Sequence, residues 1–106
     1  HHLINADTLS QMKSSAILIN TGRGDLVNEP DLLAALRNGD IAAAGVDVVS
    51  VEPPAKGDPM VTDVPSNLMI TPHTAWSSRE ARQRLVDEVG QNIAAFLKGE
   101  DRNRVV

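Results

Sequence analysis

Ala16-Ile17-Leu18-Ile19-Asn20-Thr21-Gly22-Arg23-Gly24 passes from an unbroken apolar run straight into a polar turn bracketed by glycines. The run is rich in branched side chains and shows no polar alternation. That pattern fits a strand of a parallel sheet covered on both faces better than a half-exposed strand. Ser14-Ser15 precede it and Asn20-Thr21-Gly22 end it, residues that favour turns.

On the N-terminal side, Asn5 is a good N-cap for a short helix from Ala6 to about Met12, with Asp7 in its first turn and Leu9 and Met12 on one apolar face. On the C-terminal side, a helix is expected from about Glu29 to Arg37. Asn28 caps it, Pro30 is tolerated in its first turn, Leu32, Leu33 and Leu36 form its buried stripe, and Gly39 ends it. Ile41 to Val49 reads as the next strand, entered through the small residues Ala42-Ala43-Ala44-Gly45, which let a helix or ligand come close. Residues 51–66, with Pro53, Pro54, Pro59 and Pro65, read as a long loop, and loops of that length usually carry function. Leu68-Met69-Ile70 is a third strand, stopped by Pro72. Ser77-Ser78-Arg79-Glu80 reads as a capping box with Ser77 as N-cap. The helix it opens runs to about Lys98 with Ala81, Leu85, Val89, Ile93 and Leu97 at steady i+4 spacing, and Gly99 closes it. Strands alternating with helical patterns imply parallel crossovers and an α/β sheet.

Composition narrows the classes of function. The chain has 106 residues, 42% hydrophobic and 23% charged, enough for one domain or part of one. A net charge of −4 with no basic stripe argues against nucleic-acid binding. The absence of cysteine excludes a disulfide framework and thiolate metal sites, and fits a cytoplasmic location. No apolar run approaches the ~18–20 residues that span a bilayer, so no membrane partner is expected. His1-His2-Leu3-Ile4-Asn5 begins without Met or leader, and the chain reads as a fragment of a longer one.

Three residues stand out chemically, each just beyond a strand segment, where open α/β sheets bind ligands. Arg23, flanked by Gly22 and Gly24, could grip a substrate carboxylate in a bidentate fork; equally, it could be a surface arginine in a turn. Glu52 and His73 gain weight from each other. If their strands are neighbours, the carboxylate can bond one ring nitrogen, fix the tautomer and favour the protonated ring, which then delivers a proton from its other nitrogen. The alternative is a capped loop histidine. Asp47, at the end of an apolar strand, must be paired or lie at the strand tip. It could accept from a ligand amide or serve as an ordinary strand-end cap. One internal histidine and no cysteine leave too few ligands for a metal unless His1 and His2 fold back. Gly22-x-Gly24 lacks the third glycine of a dinucleotide fingerprint, with Val27 in its place. Arg23-Gly24-Asp25 is a tripeptide that recurs by chance.

Leu3-Ile4-Asn5, Met12-Lys13, Ile17-Leu18-Ile19-Asn20-Thr21-Gly22-Arg23-Gly24, Leu26-Val27-Asn28-Glu29, Gly45-Val46-Asp47-Val48, Glu52-Pro53 and Thr71-Pro72-His73, in this order, resemble the C-terminal portion of D-isomer-specific 2-hydroxyacid dehydrogenases. Trp76 with Ser77-Ser78-Arg79-Glu80-Ala81-Arg82-Gln83-Arg84 is most similar to the glycerate dehydrogenase (hydroxypyruvate reductase) branch. The resemblance implies the later half of a Rossmann-like doubly wound parallel sheet, three short strands with flanking helices, as a fragment of a larger two-domain enzyme. Residues 1–98 would be the C-terminal part of the NAD(P)-binding domain with its returning helix, and 99–106 a tail leading to the substrate domain.

The roles implied are likewise those of the family. Arg23, Glu52 and His73 are the expected catalytic residues. Thr21, Gly22, Arg23, Asp47, His73 and Ala75 are expected at the NAD or NADP nicotinamide. Arg23, His73 and Trp76 are expected at a small 2-oxo or 2-hydroxy acid. A homodimer is implied as well. Gly22 stands where the family usually has Ala or Ser, and Val49 where an aromatic is common. The phosphate loop and most of the substrate domain precede this stretch in the family, so these residues alone are expected to be inactive. The competing reading is a non-catalytic α/β oligomerisation or interaction domain.

Overall fold

Three parallel strands organise the first part of the molecule. The computed structural model describes residues 1–105, in two compact units, residues 1–74 and a second that begins at Ala75. Val106, the last residue of the expected tail, lies outside the described residues. The first unit contains α1 (Ala6–Ser10), β1 (Ile17–Asn20), a 3-10 turn (Gly24–Leu26), α2 (Glu29–Asn38), β2 (Ala43–Val46), the short α3 (Pro59–Thr62) and β3 (Leu68–Ile70). The strands lie in the order β1-β2-β3, all parallel, with Ile19 opposite Gly45 and Gly45 opposite Met69. The second unit is built on α4 (Arg79–Lys98). The expected α/β class and parallel sheet are both found.

The core lies on one face of the sheet. Leu9 of α1, Leu32, Leu33 and Leu36 of α2, Met60 of α3 and Ile41 pack with Ala44, Val46 and Leu68. Each large apolar side chain so buried contributes roughly 1.5–3 kcal/mol of transfer free energy. The opposite face is open within these residues: Ile17 and Ile19 are each 65% exposed and Met69 is 69% exposed. Alternation puts these side chains on the face away from α1 and α2, and within this unit no helix packs there.

Helix ends follow their chemistry. Asn5 accepts from the Thr8 N–H while Thr8 Oγ1 accepts from the Asn5 N–H, a reciprocal cap. The helix ends at Ser10, short of Met12, as the chain turns before Lys13. Asn28 caps α2, and Gly39 and Gly99 end α2 and α4 in left-handed conformations at φ 75° and 74°. Ser78, not Ser77, caps α4, its Oγ accepting from the Ala81 N–H; Glu80 therefore falls one position short of a capping box. The i+4 series on α4 remains largely uncovered, with Leu85 60%, Ile93 56% and Leu97 78% exposed. Residues four apart drift about 40° around a helix of 3.6 residues per turn, so the five positions spiral instead of lining one stripe.

Two further differences concern β2 and the loop after it. The expected strand 41–49 contributes only Ala43–Val46 to the ladder. Beyond it, Asp47 N–H still reaches Asn20 O, but Val49 N–H turns to the Glu52 side chain. The 51–66 loop also holds a helical turn that its prolines conceal. Asp58 accepts from the Met60 N–H, Pro59 takes the first helical position, and Met60 is anchored in the core at 1% exposure.

Candidate active site

The C-terminal ends of the strands carry the site, and each functional side chain sits on a turn shaped by a neighbouring polar group. After β1, the buried Asn20 side chain spans the turn: Oδ1 accepts from Gly22 N–H at 3.1 Å and Nδ2 donates to Arg23 O at 2.9 Å. This local bond pattern is why asparagine favours turns. Gly24 then presses on the backbone beyond β2. A Cβ there would lie 2.1 Å from the Val49 carbonyl carbon, a distance no side chain can occupy. Only glycine permits this approach, which sets Arg23 beside the segment leading to Glu52. Arg23 Nη1 donates to Gly22 O at 2.8 Å.

Glu52 is oriented by the backbone it follows. Its Oε1 accepts from Val49 N–H at 3.1 Å and its Oε2 lies 2.6 Å from His73 Nδ1. The Ser50 N–H, one residue beyond Val49, donates to Glu29 Oε1 at 2.7 Å, which ties this segment to the first turn of α2. The bond to the His73 ring, followed by that from Val49, holds the Glu52 carboxyl below the usual carboxylate range, and the charges of His73 and Arg23 act in the same direction.

His73 follows β3. Its N–H reaches Asp47 O at 2.9 Å and Thr71 O at 3.0 Å, the latter closing a three-residue turn centred on Pro72. Proline's fixed φ suits that central position. His73 itself has φ 52°, the left-handed region that bulky residues rarely enter. His2 and Asn103 share this φ, and at His73 the surrounding bonds to Asp47 and Thr71 hold the backbone in it.

Arg23, Glu52 and His73 line one cleft of about 230 Å³ with Gly24, Asp25 and Ser50. A larger, mainly apolar cavity of about 450 Å³ adjoins the same Glu52–His73 pair from the side of Pro53, Val61 and Ile70. The pair is partly open to solvent, the His73 side chain at 43% and Glu52 at 35%. Of the other expected site residues, Thr21 and Gly22 form the exposed turn before Arg23. Asp47 is buried at 4% and borders the larger cavity; its Oδ1 accepts from Thr71 Oγ1 and Thr74 N–H. Ala75 and Trp76 open the second unit, where Trp76 is exposed. Asn20, Glu29 and Thr71 did not stand out as site residues in the sequence, although Asn20-Thr21-Gly22 carries a turn signal that points to the first of them.

A guanidinium, a carboxylate and an imidazole at the C-terminal ends of parallel strands define a ligand-binding domain of the open α/β class. The chain belongs to the family of D-isomer specific 2-hydroxyacid dehydrogenases: the family's NAD binding domain matches residues 1–75. Glycerate dehydrogenase of Methylorubrum extorquens is 50% identical over 98% of this chain and 33% of its own length. Hydroxypyruvate reductase of Blautia hydrogenotrophica is 44% identical over 97% of the chain and 31% of its own length. Among solved structures, an acyclic imino acid reductase in complex with NADPH and D-arginine superposes with TM-score 0.75 at 34% identity, over 98% of this chain and 32% of that one. The NADPH-dependent glyoxylate/hydroxypyruvate reductase of Sinorhizobium meliloti in complex with citrate gives 0.63 at 38% identity, over 89% and 29%. The chain thus spans about a third of the length of the relatives it matches.

No group of three or more His, Asp or Glu placed to hold a metal ion occurs among the described residues, and no described helix is long and apolar enough to cross a membrane.

Proposed function

We propose that this chain forms the catalytic edge of an NAD- or NADP-dependent oxidoreductase that interconverts small 2-oxo acids and D-2-hydroxy acids, of the hydroxypyruvate/glyoxylate to D-glycerate/glycolate type. The observation that carries the reading is the 2.6 Å Glu52–His73 contact in the cleft that Arg23 also lines. The donor set fits the nicotinamide end of the cofactor: the exposed Thr21–Gly22 turn, Asp47 and His73 would hold it, while no phosphate loop occurs in these residues. When bound, the nicotinamide supplies or accepts the hydride.

The remaining chemistry belongs to side chains of this chain. Arg23 pairs with the substrate carboxylate and polarises the adjacent carbonyl, where a planar fork outperforms a point charge. Glu52 occupies Nδ1 of His73, so Nε2 is the nitrogen that passes a proton to the carbonyl oxygen during reduction and takes it back during oxidation. The carboxylate offsets the charge of the protonated ring and fixes its orientation. Residues 1–98 are then the later part of the nucleotide-binding domain with its returning helix, and 99–106 lead toward a substrate domain. Exposed apolar side chains suit assembly as a homodimer, and a cysteine-free composition suits the cytoplasm.

The test uses the complete protein that carries this chain, following NADH or NADPH oxidation with hydroxypyruvate or glyoxylate. Turnover is expected, and His73→Ala should slow it by about 10²–10⁴. No consumption of either acid, or an unimpaired His73→Ala variant, overturns the proposal.

A further inference from the structure

We propose that Thr71 is a positioning residue for His73, acting through the buried Asp47 carboxylate. The inference rests on the reading of His73 as the proton-transferring group. Among the bonds that tie the Thr71–Thr74 turn to the end of β2 are Thr71 N–H to Val46 O at 3.0 Å, His73 N–H to Asp47 O at 2.9 Å, and bonds to Asp47 Oδ1 from Thr74 N–H at 2.8 Å and from Thr71 Oγ1. Two of these converge on one carboxylate oxygen from either side of His73. They bracket the residue whose φ is 52°, and so oppose its relaxation to an ordinary extended backbone.

Relaxation would swing the imidazole away from Glu52 and out of the cleft lined by Arg23. Backbone bonds alone leave the N-terminal arm of this turn fastened only by its amide. The Thr71 hydroxyl is the side-chain donor that fastens that arm to Asp47, and a hydrogen bond to a charged group is about twice as strong as a neutral one. Threonine's branched Cβ restricts χ1 and keeps the hydroxyl in place.

The test compares Thr71→Val, which keeps the shape and removes the hydroxyl, with Thr71→Ser, which keeps the hydroxyl, in the complete protein. The first readout is the ¹⁵N spectrum of the His73 imidazole, which needs no turnover. At a pH where the ring is neutral, the original protein should show one tautomer fixed by Glu52, Thr71→Val an average of two, and Thr71→Ser the original pattern. The second readout is kinetic. Thr71→Val should lower kcat roughly ten- to a hundredfold, the share one charge-assisted hydrogen bond can supply, with KM for the dinucleotide little changed, and Thr71→Ser should restore it.

Thr71→Val with an unaltered imidazole spectrum overturns the proposal, as does a folded Thr71→Ser that behaves like Val. If the complete protein turns over no 2-oxo acid, the functional reading fails, and the spectrum still decides the role of Thr71. Thermal melts of both variants identify a folding defect; if Val is unfolded while Ser retains the fold and the tautomer, the hydroxyl is a general structural support and the positioning role is overturned.

Discussion

The two ends of the β-sheet treat polar side chains differently. At the end where the chain enters the strands, Asn67 donates to Leu36 O at 3.1 Å and to Ala42 O at 3.2 Å. That side chain satisfies two carbonyls near the C-terminal turn of α2 and the start of β2, and nothing strained surrounds it. At the end where the chain leaves the strands, Asn20, Asp47 and Thr71 hold turns in unusual shapes, among them a left-handed His73 and a glycine packed onto backbone. One end spends its polar groups on satisfying the fold. The other uses them to impose geometry that the local sequence would not adopt alone.

Substitutions at the two ends should therefore differ in kind. The largest effect is expected at Gly24→Ala. The new Cβ would overlap the Val49 backbone, which cannot yield as a flexible side chain can, so stability should fall by about 3 kcal/mol or more and activity with it. Urea unfolding checks the first and turnover the second; a variant that melts and reacts normally would erase the contrast.

Next comes Asn67→Ala, expected to cost about 1–3 kcal/mol by leaving two carbonyls without this donor. Here kcat and KM should stay at their original values. A selective loss of kcat at unchanged stability would show that the entering end also shapes the site.

The smallest effect concerns pH. The Glu52 carboxyl is held below its ordinary value of 4.5, so the unfolded chain takes up the proton first on acidification. The stability gained from the Glu52–His73 bond is thus complete above 4.5 and is lost as pH falls through the lowered value. The difference in urea stability between the original protein and Glu52→Gln should shrink as pH falls below that value. A gap that widens on acidification would contradict the sign.

How much of this could be read in advance follows the same division. Asn5, Asn28, Gly39 and Gly99 act through bonds to their own neighbours, and the helix boundaries they mark emerge from local sequence. The three strands and their parallel sense likewise follow from apolar runs separated by helical patterns, although only Ala43–Val46 of the expected 41–49 strand joins the ladder. Which face α1 and α2 cover does not follow: Ile17 and Ile19 resemble core residues by type, yet within the first unit these helices pack on the opposite face. The α3 turn was hidden because Pro59 and Pro65 suggest a loop, although Asp58-Pro59 is also a helix start. Arg23, Glu52 and His73 were accessible as a set because each follows a strand. Their supports were not, since Asn20 and Thr71 gain their roles from bonds to turns and to an aspartate 24 positions away.

The most direct measurement is a crystal structure of the complete protein with its nicotinamide cofactor and oxamate, an unreactive isostere of a small 2-oxo acid. The account predicts the Arg23 guanidinium on the oxamate carboxylate, His73 Nε2 on its amide carbonyl oxygen, and Glu52 still bonded to Nδ1. Oxamate bound away from Arg23, or His73 turned from Glu52 toward another partner, would contradict it.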